Sequence, residues 1–457
     1  MAALQQDLTQ GSVAGRLVRY SVPLVCSSLL QSVYSIADII IAGRFIGNAG
    51  ISAINNASLI MNLLTQIAIG LTVGGNILIG QYFGSGDEEN RKRASGTLFT
   101  LCGVVGVAGA AVFSASARGL LVLLGAPALE EATAYLGICA WGLFFIFGYN
   151  ALSAILRAVG NSRTPLYFVL LSTALNVALD LLFVAGLGRG VEGAALATLI
   201  AQGAAFAAAL GFVLRHRARL GFTAAYLRPT AELAGKILRL GLPTALQWTI
   251  ASVSWLAVAF LINRYGVDVS AGNGVSNKIK DFCQLFISAM TSGAATMIAQ
   301  CLGAGRYDRA REVMRTCMKI TLLLAACLIL VSELFAPQLA AVFSAEPEVR
   351  RWAALNLRIE IVAQLFYAGF LTYNTLATGA GHTVFVMLNS FLNCIVVRLV
   401  LAVLFERIWG APGVFLACAL APASSVPVGW WYCRSGRWRR SLAGDPDGGE
   451  AITLSGG

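Results

Sequence analysis

Two acids lie inside long apolar runs in the N-terminal half of the chain. Asp38 is the single acid of the run 17–43, and Asp180 follows Asn176 by four residues in the run 164–185. Residues four apart share one face of a helix. A carboxylate inside a membrane helix costs at least about 2.5–3.5 kcal/mol and usually marks an ion or substrate path. These acids are therefore candidates for ion binding, and an acid paired for structure alone is the alternative.

The polar residues of this half are predicted to meet at one depth of the membrane. Both acid-bearing runs are predicted to begin in the cytoplasm, so Asp38 and Asp180 fall in the outer half, and Thr198 of the returning run falls there too. Asn150 in the fourth run lies deeper by residue counting. Two carboxylates with neutral oxygens can share a proton or hold a small hard cation such as Na⁺. A polar cluster that only joins helices is the structural alternative.

The C-terminal half has no counterpart of this cluster. Its first run, 238–263, contains no acid. Arg398 is the notable intramembrane charge, and it could pair with Glu360, face a cleft, or extend its charged end to the interface. One further group of charges is interpreted as a structural ion pair on a helix face: Asp281 with Lys278 and Lys280.

Aromatic residues of the first and fourth runs could line a cleft for apolar cations, although such residues more often face lipid or core. The candidate cleft residues are Tyr34, Tyr135, Phe147 and Tyr149, together with Arg398. Pro23 lies inside the first run. Because proline removes a backbone hydrogen bond and kinks a helix, Pro23 is a candidate hinge.

The composition is that of a polytopic membrane protein. Of the 457 residues, 57% are hydrophobic and only 12% are charged, against about 25% charged in soluble domains. The mean hydropathy is +0.74. Hydropathy predicts twelve apolar runs, each long enough for a membrane helix: 17–43, 51–82, 94–117, 129–156, 164–185, 191–214, 238–263, 270–301, 313–336, 352–377, 383–405 and 411–433.

The distribution of basic residues orients these runs. Twelve crossings put both termini on one side, and the loops of that side carry 22 of the 33 Lys and Arg residues, against 10 on the opposite side. The positive-inside rule then places both termini in the cytoplasm of a multi-pass cell-membrane protein. This rule also accounts for the net charge of +11, and no nucleic-acid-binding motif is present.

A repeat divides the chain into two halves. Arg19–Pro23 aligns with Arg239–Pro243, GQYFGSG ending at Gly86 aligns with AQCLGAG ending at Gly305, and AVGNS around Gly160 aligns with AGHT after Gly381. All three offsets are close to 220 residues. The predicted fold class is an all-α integral membrane protein with two six-helix lobes, related by a pseudo-two-fold axis along the membrane normal. The predicted divisions are a cytoplasmic segment 1–16, an N-terminal lobe 17–214, a cytoplasmic linker 215–237, a C-terminal lobe 238–433 and a cytoplasmic tail 434–457.

Several function classes lack their sequence signals. No GxxxxGK[ST] phosphate loop is present, so no ATP-driven motor is expected. The ten cysteines form no CxxC pair, and no Ser/His/Asp arrangement suggests an enzyme. We therefore expect a non-enzymatic protein without a cofactor beyond a coupling ion.

The chain resembles the multidrug and toxic compound extrusion (MATE) family over about residues 12–435. The resemblance rests on four pieces: PLVCSSLLQSVYSIADIIIAGRFIG, GQYFGSG, AQCLGAG and LRAVGNSRTPLYFVLLSTALNVALDLLF. It implies export of organic, often cationic, compounds in exchange for H⁺ or Na⁺. It also implies the branch with its cation site in the N-terminal lobe, at Asp38, Asn150, Asn176, Asp180 and Thr198, with Pro23 at the kink. The second branch carries an acid in helix seven, which this chain lacks.

The predicted function is therefore secondary antiport by alternating access of two lobes. The predicted partners are a small organic substrate and the lipid bilayer, without nucleic acid or ATP, and the predicted state is a monomer. A lipid-linked oligosaccharide flippase of the same superfamily is the alternative function. Such a flippase needs several basic residues in its cleft, and the sequence places only Arg398 clearly inside the membrane. A membrane-embedded enzyme or receptor scaffold is a more distant alternative.

Overall fold

A computed structural model describes residues 5–123, 125–220 and 222–439 of the protein. The first four residues, Arg440 and the rest of the tail lie outside this part, so the predictions made for them have no structural outcome. The described elements are helices: α1 Val13–Phe45, α2 Gly47–Ser85, α3 Glu88–Leu123, α4 Leu129–Ala158, α5 Arg163–Asp180, α6 Gly190–Arg215, α7 Arg217–Leu220, α8 Ala231–Asn263, α9 Val267–Gly303, α10 Tyr307–Phe343, α11 Pro347–Ile361, α12 Ala363–Gly379, α13 Thr383–Phe391, α14 Arg398–Trp409, α15 Ala411–Leu420 and α16 Ser425–Arg434.

The long helices confirm the predicted number of membrane crossings. Within the described ranges, eleven helical segments are long and apolar enough to cross a membrane, and the count is twelve if α11 and α12 form one span bent by 45°. π-helical turns at Leu181–Gly186 and Leu392–Val397 continue α5 and join α13 to α14. α1–α6 form one lobe and α8–α16 form the other, so the all-α, two-lobe fold class is confirmed.

Several helices extend beyond the apolar runs that predicted them. α8 begins at Ala231 rather than at 238, inside the segment predicted as linker. Its first two turns contain an ion pair between Glu232 and Lys236, four residues apart and 2.7 Å between charged atoms. A hydropathy profile detects only the apolar part of a helix, so helical turns that contain such charged pairs are missed.

The two glycine-rich motifs end their helices in the same way. Gly86 follows α2 with φ of 75°, and Gly305 follows α9 with φ of 67°. This left-handed conformation is favourable for glycine and commonly terminates a helix. The matching conformations confirm at backbone level the repeat that was inferred from GQYFGSG and AQCLGAG.

The repeated motifs also pack against each other across the lobe interface. Gly84 lies against the backbone of Gln300, and Gly303 lies against the backbone of Gln81; a Cβ atom would come within 2.0 Å and 1.9 Å, respectively, of the carbonyl oxygen of the facing glutamine. Each glycine is thus 219 residues from its counterpart, and so is each glutamine. The contact is reciprocal, as a pseudo-two-fold axis between the lobes requires.

The same two glutamines hydrogen-bond across the interface. The Gln81 amide donates to the carbonyl of Gly379 at 2.9 Å, and the Gln300 amide donates to the carbonyl of Ala158 at 2.7 Å. Gln300 also accepts a hydrogen bond from the backbone N–H of Leu8 at 3.0 Å. Among the described residues, the hydrogen bonds between the two lobes lie on the side of the N-terminus. The space between the lobes is therefore closed on that side in this conformation.

We expect Gly303→Ala to separate the two lobes on the side of the N-terminus. The added methyl group has no space in the closed interface, so the variant favours conformations with the lobes apart on this side. Hydrogen–deuterium exchange should then rise in both segments 80–86 and 299–305. Gly274→Ala on the same helix is the matched control, because no atom lies within 4 Å of its added Cβ. Unchanged exchange in Gly303→Ala would contradict the assigned interface.

Pro23 and Pro243 lie inside α1 and α8, as predicted. α1 is one element from Val13 to Phe45, and the hydroxyl of Ser27 donates to the carbonyl of Pro23 at 2.9 Å. A proline cannot donate to the carbonyl one turn earlier, so the helix is weakened at this point. The hinge role of Pro23 stays a prediction.

Candidate functional site

Three helices of the N-terminal lobe bring the predicted polar residues together. Asp38 on α1 and Asp180 at the end of α5 lie close enough for their carboxyl groups to interact electrostatically. Asp180 and Asn176 are 1% and 2% exposed, and Thr198 on α6 is 7% exposed. The structure therefore brings these four residues near one another, and their common depth in the membrane stays a prediction.

A short hydrogen-bond chain organises the neutral side of this pocket. The amide of Asn176 donates to the Thr198 hydroxyl oxygen at 3.5 Å, and the hydroxyl of Tyr34 lies 3.4 Å from the same oxygen. Tyr34 was predicted only as a cleft residue. The signal for its role was its place four residues before Asp38, which puts both on one face of α1.

The pocket leaves several buried acceptor atoms without a donor. Neither carboxylate oxygen of Asp180, nor the amide oxygen of Asn176, receives a hydrogen bond from a described N–H or neutral hydroxyl group. A hydrogen bond between Asp180 and Asp38 forms only when one carboxyl carries a proton. Leaving such oxygens unpaired costs about 1–3 kcal/mol each, and more when charged. The pocket therefore favours a proton or a small cation.

Two carboxyl groups that interact in this way titrate as a unit. With both ionised, like charges face each other in a low-dielectric pocket, and a proton shared between them relieves the repulsion. A Na⁺ ion would do the same and prefers oxygen ligands, which Asp38, Asn176, Asp180 and Thr198 supply. No group of three or more His, Cys, Asp or Glu residues able to hold a metal occurs in the described chain.

A π-helical turn begins directly after Asp180. It spans Leu181–Gly186 and replaces the last turn of the membrane helix. Single π turns are rare and occur frequently at functional sites. Sequence periodicity does not distinguish a π turn from an α turn, so this feature was not predicted.

The other predicted residues of the N-terminal lobe occupy different positions. The Asn150 amide donates to the carbonyl of Ile146, one turn earlier on its own helix, at 2.8 Å. Tyr149 donates to the carbonyl of Pro165 at 3.4 Å. Tyr135 is 4% exposed and, like Phe147, belongs to the hydrophobic core of the lobe rather than to a cleft in this conformation; it lies close enough to Asp38 to interact electrostatically with it.

The structure corrects the prediction for Phe147. This residue is 3% exposed and belongs to the hydrophobic core of the lobe. It packs where α3 approaches α4 at Gly106, whose missing side chain leaves room for the aromatic residues. Close packing at a glycine thus directs Phe147 into the core rather than toward a cleft.

The C-terminal lobe contains a separate buried charge cluster. Lys280 on α9 forms an ion pair with Glu360 on α11, and each side chain is 5% exposed. Two cations lie near the Trp255 ring, with the Arg398 guanidinium 4.5 Å and the Lys280 ammonium 5.6 Å from its centre. Arg398 also donates to the Ser254 hydroxyl at 3.4 Å.

This cluster corrects three sequence-based interpretations. Arg398 does not pair with Glu360, because Lys280 takes that carboxylate. Arg398 is 6% exposed, so its charged end does not extend to the interface. Lys280 was expected to pair with its neighbour Asp281, but consecutive residues on a helix do not face each other.

The two-lobe helical frame, with two acids near each other inside one lobe, defines a class, the membrane transporters with repeated lobes. The chain belongs to the MatE family, whose family model matches residues 23–182 and 243–404. The two matched ranges correspond to the two lobes. The family inferred from the sequence resemblance is confirmed.

Curated relatives are named for drug resistance or drug export. The chain is 29% identical over 371 residues to the probable multidrug resistance protein YoeA of Bacillus subtilis, covering 79% of this chain and 80% of the relative. It is 26% identical over 419 residues to the multidrug export protein MepA of Staphylococcus saprophyticus, covering 90% and 91%.

Solved structures of the family share the fold. A multidrug resistance MATE family transporter described in an outward-facing conformation superposes with a TM-score of 0.89 at 22% identity, covering 94% of this chain and 96% of that chain. A MATE structure described in a straight conformation gives the same TM-score and identity, covering 94% and 97%.

Proposed function

We propose that this protein is a secondary antiporter of the cell membrane that exports organic, often cationic, drug-like compounds in exchange for H⁺ or Na⁺. Membership of a family whose relatives are named multidrug resistance or export proteins supports the export part. The proximity of the carboxyl groups of Asp38 and Asp180 carries the coupling part. Asn176 and Thr198 complete the ion site.

The coupling follows from the charge state of the carboxyl pair. An ion that enters the pocket removes the repulsion between Asp38 and Asp180 and changes how α1 and α5 pack. A ligand shifts a conformational equilibrium only if it binds the two states with different affinity. The pocket is formed by three helices, so movement of α1 at Pro23 would separate the acids and supply this difference.

The orientation of the transport cycle rests on the proposed topology. We place both termini in the cytoplasm, with lobes at 17–214 and 238–433, a linker at 215–237 and a monomeric functional unit. Because the conformation is sealed on the side of the N-terminus, it then faces outward. Ion entry from outside leads to closure of the outer side, and the substrate binds after the inner side opens.

Efflux from cells that lack their own pumps tests this function. Export of a panel of organic dyes is measured while the Na⁺ gradient and the pH gradient are collapsed separately. We expect export of at least some cationic dyes, and its loss when one of the two gradients is removed. Dye export that persists after both gradients are collapsed would reject ion-coupled antiport.

A further inference from the structure

A basic cavity lies outside the proposed ion site. It is formed by the ends of three helices of the C-terminal lobe, on the same side of the protein as the N-terminus. Its volume is about 580 Å³, and it lies between α10, α12 and α16. The guanidinium of Arg306, next to the start of α10, donates to the carbonyl oxygen of Thr9 at 2.7 Å. This end of α10 therefore lies on the side of the N-terminus. The cavity therefore lies toward one membrane surface.

Four cations line this cavity. Arg311, Arg315 and Lys319 are spaced by four residues and form one face of α10, and Arg434 is the last residue of α16. No acid belongs to the lining, and none of the four cations forms an ion pair within the described chain. Glu312 follows Arg311 in sequence but is not part of the lining. Four like charges around one cavity repel each other unless an anion is present.

The remaining wall of the cavity is apolar and aromatic. Met314, Met318 and Tyr373 contribute to it, and the Arg434 guanidinium lies 4.1 Å from the ring centre of Trp430. Trp430 is 46% exposed. Tryptophan is enriched where a membrane protein meets the headgroup region. The cavity thus combines a cationic face with an apolar face at the membrane surface.

We propose that this cavity binds the headgroup of an anionic phospholipid. The phosphate would lie against Arg311, Arg315 and Lys319, and the glycerol and upper acyl chain would lie against the methionine and tryptophan side chains. Basic pockets between membrane helices are a known means of binding anionic headgroups. A soluble anion would use the cations but leave the apolar face without a partner, so the lining favours a lipid.

Lipid binding to purified protein tests the proposal. Native mass spectrometry in detergent measures the retention of dioleoyl phosphatidylglycerol and of dioleoyl phosphatidylcholine, which has the same acyl chains. The variant Arg311→Gln/Arg315→Gln/Lys319→Gln removes three of the four charges. We expect wild type to prefer the anionic lipid, and the variant to lose at least about tenfold in affinity for it, because each interfacial cation contributes measurably to anionic-lipid binding.

A matched triple variant separates a specific pocket from general positive charge. Arg217→Gln/Arg219→Gln/Arg228→Gln removes three exposed arginines that lie outside the cavity, and we expect it to change lipid affinity less than twofold. Thermal unfolding in lipid-free detergent checks folding. If the pocket triple does not fold, the single variant Arg315→Gln, at an exposed position, replaces it with an expected loss of a few-fold.

Three outcomes would overturn the proposal. One is equal binding of the two lipids by wild type, and another is equal loss in the two triple variants. The third is binding of inorganic phosphate that displaces the lipid at millimolar concentration, which would identify a site for soluble anions. The measurement does not involve transport, so its failure and the failure of the proposed antiport are distinguishable.

Discussion

Asp180→Asn is expected to abolish ion-driven export while the protein still inserts and folds. The amide has nearly the shape of the carboxyl group but cannot be ionised, so it neither shares a proton with Asp38 nor attracts a cation. Both carboxylate oxygens of Asp180 lack a donor in the described structure, so the substitution removes no stabilising hydrogen bond to one. Loss of transport would thus reflect loss of coupling rather than unfolding.

Vesicles with an imposed ion gradient provide the measurement. Purified wild type, Asp38→Asn and Asp180→Asn are reconstituted at equal amounts, and substrate movement is followed after a Na⁺ or pH gradient is applied. Asp308→Asn, an exposed acid near the start of α10, is the control for the same chemical change outside the site. We expect gradient-driven transport to disappear in both site variants and to persist in the control. Full transport by both site variants would reject the mechanism.

The proximity of the two acids could be inferred from the sequence because helix geometry fixes depth. Counting residues at 1.5 Å each places Asp38 and Asp180 in the same half of the membrane once the runs and their directions are known. The spacing of Asn176 and Asp180 fixes their common face. Burial of Asp180, which is 1% exposed, then follows from the high cost of exposing a carboxylate to lipid, and Asp38 is half-buried.

Pairing in the C-terminal lobe could not be inferred in this way. Lys280 and Glu360 are 80 residues apart, and their contact depends on how α9 packs against α11. Spacing along one helix suggested Asp281 as the partner of Lys280. The sequence also allowed Arg398, from another helix, as a partner of Glu360. Phe147 entered the core for a related reason, since the space beside Gly106 exists only after α3 and α4 are packed.

Some features of the repeat also follow from the local sequence, whereas others depend on how the two lobes pack. The alignment of GQYFGSG with AQCLGAG predicted two related lobes, and the backbone conformations of Gly86 and Gly305 follow locally from glycine. The reciprocal contacts of Gln81 and Gln300 required the relative placement of the lobes. That placement depends on how the two lobes pack in three dimensions, which the motifs alone do not specify.

Glu360→Gln is expected to destabilise the protein strongly, by about 3–5 kcal/mol, because it leaves the ammonium group of Lys280 buried without its counter-ion. Both partners are 5% exposed, so solvent cannot replace the lost charge interaction. Trp255 lies over the ammonium group at 5.6 Å, but a cation–π contact contributes only about 0.5–2 kcal/mol. Thermal unfolding of the purified variant should show a marked decrease in Tm relative to wild type.

The double variant Lys280→Met/Glu360→Met separates a lost counter-ion from a lost side chain. Replacing a buried ion pair by apolar residues of similar volume is often neutral or stabilising by about 1–4 kcal/mol, so we expect the double variant to recover most of the lost Tm. Glu232→Gln, which breaks the exposed pair with Lys236, should change Tm little, because solvent screens such pairs. A double variant no more stable than Glu360→Gln would show that the cost arises from packing and not from the unpaired ammonium group.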